Sequence, residues 1–121
     1  MSNNTKNNSQ AVSKDKIDYV LKLYTNGRYS EAISALQSLD ADYPNVPLLY
    51  NLLGVCYKSL GKFKASVEAF KKAIIIKPDY AEVYNNLGLT YLQLNELDNA
   101  IKNFENATSY MPNFYAAHYN L

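Results

Sequence analysis

The sequence predicts an all-α protein built as an array of antiparallel helix hairpins, and three observations carry that prediction. Pro44, Pro78 and Pro112 stand 34 residues apart. The pair Leu53-Gly54 returns 34 residues later as Leu87-Gly88. Between these marks, apolar residues recur at the spacing that gathers them on one face of a helix. A fixed period of this length marks a stacked array whose units share a core, because a lone hairpin cannot bury both of its faces.

Taken in order, residues 1–12 (MSNNTKNNSQAV) are rich in Asn and Ser, with almost nothing to bury, and are expected to form a disordered tail. Two clear copies of the unit run 47–80 and 81–114, with Tyr50, Tyr57, Phe70 and Ala73 returning as Tyr84, Tyr91, Phe104 and Ala107. Backward extension gives 13–46, where Leu23, Gly27, Tyr29, Ala32, Leu36, Leu39 and Pro44 fall in register. Forward extension gives 115–121, the opening of an incomplete fourth copy.

Each copy reads as two helices. In the second, Tyr50, Leu53, Gly54 and Tyr57 share one face, Ser59-Leu60-Gly61 breaks the chain, and Phe63, Ser66, Val67, Phe70, Ala73 and Ile74 make a second stripe. Pro78 ends that stripe by removing a donor and biasing Lys77 away from helix. Asn26-Gly27 and Asn95 are suited to the matching turns in the other copies. Asn45, Asp79 and Asn113 are expected to cap the helices that follow them. Gly54 and Gly88, with Ala32, Ser66 and Ala100 opposite, let the paired helices approach closely, and the aromatic residues fill what remains. Fourteen-residue helices are roughly 20 Å long at about 1.5 Å per residue.

Composition narrows the function classes. The chain has 121 residues, 12 Lys and Arg against 11 Asp and Glu, and a net charge of +1, so no electrostatic footprint points to nucleic acid or an anionic membrane. The longest apolar run, Ala73 to Ile76, is far too short to span a bilayer, and no secretory signal opens the chain. A lone cysteine, Cys56, forms no internal disulfide, and a reducing cytoplasm is the simplest compartment. There is no Gly-rich phosphate loop, no metal-spaced His/Cys cluster and no nucleophile elbow. His118 takes an aromatic place in the partial repeat, where packing is expected, and Cys56 reads as a small buried hydrophobe. The segment is expected to be no enzyme and to need neither cofactor nor metal.

These residues closely resemble the tetratricopeptide repeat (TPR) family, whose pattern is W-x2-L-G-x2-Y, then A-x3-F, then P. Here it stands as Tyr50-x2-Leu53-Gly54-x2-Tyr57, Ser66-x3-Phe70 and Pro78, then as Tyr84-x2-Leu87-Gly88-x2-Tyr91, Ala100-x3-Phe104 and Pro112. Tyr replaces Trp in both, and the first copy carries Lys16, Tyr19 and Val20 in place of the aromatic, Leu and Gly. The resemblance implies a right-handed superhelical solenoid whose concave groove, lined by the first helix of each repeat, holds a protein or peptide. Carried onto this chain, the groove positions are Ile17, Leu21 and Tyr24; Leu48, Asn51, Leu52, Val55 and Lys58; Glu82, Asn85, Asn86, Leu89, Leu92 and Gln93; and Tyr119 and Asn120.

That surface grades from apolar to amide-rich. The asparagines either pair with a ligand backbone, as in the asparagine-lined groove of O-linked N-acetylglucosamine transferases, or are ordinary surface amides. Where TPR adaptors clamp chaperone tails with Lys, Asn and Arg, this chain has Ile17, Leu21, Leu52, Glu82 and Asn86, so that clamp is not expected. Repeat 47–80 carries +4 and repeat 81–114 carries −3. This reads either as a solvated convex face, with Lys64, Glu68 and Lys72 at helical spacing, or as a means of stacking copies head to tail.

Such arrays usually end on a polar capping helix, whereas this sequence stops inside a repeat. It is therefore expected to be a fragment, with Tyr115, Tyr119 and Leu121 as an apolar edge prone to self-association. The leading expectation is a non-catalytic peptide-binding scaffold. Two alternatives stay open: the N-terminal substrate-positioning arm of a sulfotransferase or glycosyltransferase whose catalytic domain lies beyond Leu121, and a homo-oligomeric assembly module.

Overall fold

A computed structural model describes residues 11–112. Six α-helices follow one another among them: α1 Lys14–Thr25, α2 Tyr29–Asp42, α3 Pro47–Ser59, α4 Phe63–Ile76, α5 Ala81–Gln93 and α6 Leu97–Tyr110. No strand occurs among the described residues, and the three hairpins α1–α2, α3–α4 and α5–α6 stack in chain order. None of these helices is long and apolar enough to cross a membrane.

The turns inside the hairpins share one design. Gly27, Gly61 and Asn95 have φ of 77°, 76° and 64°, a left-handed conformation that closes the end of a helix. In the middle hairpin Gly61 N–H donates to the Lys58 carbonyl and Lys62 N–H to the Tyr57 carbonyl, both at 2.9 Å. Asn95 and Glu96 make the same pair of bonds to Leu92 and Tyr91, at 3.0 and 2.9 Å. These bonds satisfy carbonyls that the helix end would otherwise leave unmatched. The prolines lie just past α2, α4 and α6, where no helical donor is needed.

Helix starts depart from expectation. Ser13 caps α1, its Oγ accepting from Lys16 N–H. The expected caps Asn45 and Asp79 stand one place too early. The cap positions are Val46 and Tyr80, which make no side-chain cap bond. Helix α3 starts instead on Pro47, whose missing N–H and fixed φ suit a first turn. Asn45 takes a left-handed φ of 66°, and Asp79 pairs with Lys77 at 3.8 Å.

The core forms two linked clusters. The first joins Val20, Leu23, Leu36, Leu49, Leu53 and Cys56, and the second joins Val67, Phe70, Val83, Leu87, Tyr91 and Phe104. Tyr50 packs against both. Val12, assigned from sequence to the tail, packs against the first cluster. Within α3–α4 the Phe70 ring lies against Gly54, and within α5–α6 the Phe104 ring lies against Gly88. The buried Ser66 hydroxyl donates to the Gly54 carbonyl at 2.8 Å. Residues 1–10 of the expected tail, the expected cap Asn113, and Tyr115, His118, Tyr119, Asn120 and Leu121 lie outside the described residues.

Candidate functional site

The first helices of the hairpins, α1, α3 and α5, are joined side by side by two polar contacts. Ser59 Oγ lies 3.4 Å from the Tyr24 hydroxyl, linking α3 to α1. Asn86 Nδ2 donates to Asn51 Oδ1 at 2.9 Å, linking α5 to α3. The three helices therefore present one continuous face, on which residues 34 apart stand in rows across the molecule.

Two rows near the C-terminal ends of these helices are mainly apolar. One holds Leu21, Val55 and Leu89, and the next holds Tyr24, Lys58 and Leu92. Leu21 is 39% and Leu92 41% exposed, while Val55, Leu89 and Tyr24 are half-buried against the core clusters. Lys58 is half-buried, and burial pushes its ammonium below the usual lysine range. Rows nearer the helix starts are more mixed. Leu48, at 37% exposure, stands beside exposed Glu82, and half-buried Leu52 stands beside Asn86. Gln93 is exposed, and Ile17 is half-buried against the first cluster.

Two residues expected on this face are placed elsewhere. Asn51 is 3% and Asn85 6% exposed, so both belong to the packing between helices and offer little surface to a ligand. Asn51 spends its amide oxygen on Asn86, and its side chain also bonds the Tyr80 hydroxyl. The reason is angular. A residue one step around the helix from the open face meets the neighbouring hairpin, and that step separates Asn51 from Leu52 and Asn85 from Asn86.

The aromatic residues beside this face are held by polar partners. Tyr84 donates its hydroxyl to the Pro78 carbonyl at 2.7 Å and stacks on Tyr110, with ring centroids 5.4 Å apart. Lys16, which replaces the aromatic in the first hairpin, donates to the Tyr43 hydroxyl at 3.0 Å and lies over that ring. Ion pairs among the described residues close at Lys14–Asp18, Arg28–Glu31 and Lys77–Asp79, not along the expected Lys64, Glu68 and Lys72. No cluster of three His, Cys, Asp or Glu able to hold a metal ion occurs among the described residues.

Residues 56–95 match a family described as TPR repeat, and residues 81–114 match one described as tetratricopeptide repeat. No curated protein matches the chain. Among solved structures, the first TPR of Spaghetti (RPAP3) bound to the HSP90 peptide SRMEEVD is similar, at 25% identity and a TM-score of 0.82, over 86% of this chain and 82% of that one. MamA is similar at 25% identity and a TM-score of 0.81, over 96% of this chain and 67% of that one. The Yersinia enterocolitica type III secretion chaperone SycD, in complex with a peptide of the translocator YopD, shares the fold at 18% identity and a TM-score of 0.76, over 86% and 82% of the two chains.

Proposed function

We propose that this chain, which belongs to the tetratricopeptide repeat family, binds a peptide segment of another protein on the face formed by α1, α3 and α5. The observation that carries the reading is the pair of apolar rows, in which Leu21 and Leu92 stay exposed beside Val55 and Leu89, themselves half-buried against the core. The exposed leucines at the two ends of this face, Leu21 on α1 and Leu92 on α5, gain by being covered, at about 25 cal/mol per Å² of apolar surface. Two similar structures are complexes with peptides, one of HSP90 and one of YopD, which supports the reading.

The partner chemistry differs from an acidic tail gripped by cations. The places that would grip it hold Ile17, Leu21, Leu52, Glu82 and Asn86, which supply no cation and one opposing carboxylate. An apolar segment fits this face better.

The test is partner capture, followed by site-directed change. Leu21→Asp combined with Leu92→Asp places two carboxylates on the face at positions exposed enough to leave folding intact, and should abolish capture. Ile75→Asp, at a residue 77% exposed on α4, should leave capture unchanged. The reverse pattern would move the binding surface to the outer helices.

A further inference from the structure

Lys58 is the unusual member of the apolar rows. It lies between Tyr24 and Leu92 in its own row and beside Val55 and Leu89 of the next, and its side chain is half-buried. Every Asp and Glu of the chain falls within residues 11–112, and among the described residues none forms an ion pair with Lys58. A half-buried ammonium without a counter-charge is costly unless something completes it. Burial lowers its affinity for the proton, in keeping with an unneutralised charge.

A second polar group stands in the same row, 34 residues earlier on α1. The Ser59 hydroxyl lies 3.4 Å from the Tyr24 hydroxyl oxygen. A phenol both donates and accepts, so the Tyr24 hydroxyl can meet Ser59 and still donate its proton to another acceptor. The Tyr24 ring is fixed by a tilted contact with Tyr29, the centroids 5.2 Å apart. An ammonium and a phenolic proton on one edge, set among four apolar side chains, complement a single carboxylate flanked by apolar groups.

Resting on the groove reading above, we propose that Lys58 sets the specificity of this face. It selects a partner peptide that carries one Asp or Glu among apolar side chains, with the carboxylate received by Lys58 and the Tyr24 hydroxyl. The flanking apolar side chains cover Leu21, Val55, Leu89 and Leu92. A basic or purely polar segment is rejected, because it leaves the ammonium buried and unpaired.

The experiment is display selection from a random library of 12-residue peptides with blocked termini, run against the 121-residue chain and against K58M, Y24F and L21D/L92D. Methionine conserves the volume and removes the charge, so K58M should keep its helical circular dichroism and melt no lower than the parent. Peptides retained by the parent should be enriched in a single acidic residue with apolar neighbours. Replacing that residue by its amide in a retained peptide should weaken binding about tenfold or more. The acidic preference should vanish with K58M and shrink with Y24F, while apolar enrichment persists in both. Absence of acidic enrichment with the parent, or its persistence with K58M, overturns the role of Lys58 and leaves the groove standing. If L21D/L92D retains the same peptides as the parent, the groove reading falls, and this inference falls with it.

Discussion

At the scale of single residues, hairpin closure rests on a fit between one glycine and one ring. A Cβ at Gly54 or Gly88 would overlap the ring of Phe70 or Phe104, so the small residue is required by the large one. The first hairpin solves the same problem with intermediate sizes. Val20, 1% exposed, stands at the glycine place, and Leu36, 0% exposed, at the phenylalanine place. Gly54→Ala should therefore cost about 1–3 kcal/mol through overpacking, and Phe70→Ala about 3–5 kcal/mol through the cavity it leaves. Adding Phe70→Leu to Gly54→Ala should cost less than the two single effects summed, because the smaller side chain makes room for the new Cβ, a step toward the Val20–Leu36 pairing of the first hairpin. Urea denaturation of the four proteins measures this coupling. Cys56, 2% exposed, supplies another test: burial pushes its thiol up to about 11. Because the folded value is raised, the associated stability is complete below pH about 9 and lost as pH climbs through about 11, to the extent of about 1–3 kcal/mol. Melting curves at pH 8 and 10.5 should show a steeper decline for the parent than for Cys56→Ala.

At the scale of elements, the turns inside hairpins decide where helices stop. Gly61 has open space where a Cβ would go, so its value is its left-handed backbone alone. Gly61→Ala should cost about 1–2 kcal/mol, whereas Asn95→Gly should stabilise by about half a kcal/mol or more, since asparagine there holds a φ that glycine adopts freely. Thermal denaturation checks both signs. These turns were legible in the sequence because Gly27, Gly61 and Asn95 share one register. The prolines and the close approach at Gly54 and Gly88 were legible for the same reason, while the fit of the Phe70 ring to Gly54 emerged only from the packing. Helix starts were not, because Asn45 and Asp79 fit a cap by type while the helices begin one residue later than such caps require. The open face was legible only in part. A helical period places Asn51 and Leu52 within one wide arc, and only the approach of α5 shows which of them is covered.

At the scale of the whole molecule, cohesion is local. Each helix packs mainly on the helices next to it in sequence, with α3 and α5 in contact besides. The middle hairpin, α3–α4, is covered on both sides, and the first hairpin meets only one described neighbour. Amide hydrogen exchange should therefore be slowest in α3 and α4 and markedly faster in α1. Equal protection throughout would mean that the described hairpins open only as one unit. A core built from neighbour contacts also needs little long-range ordering, so folding should be fast for a chain of this length.

The same neighbour-only packing has a mechanical consequence. Tension applied to the two ends of such a stack has no long-range strap to load, so it peels one hairpin at a time. Each 34-residue unit released would add roughly 110 Å of contour, at about 3.3 Å per residue. A partner held across α1, α3 and α5 would bridge the seams along which the stack parts, and would work as a splint that stiffens an otherwise extensible spring.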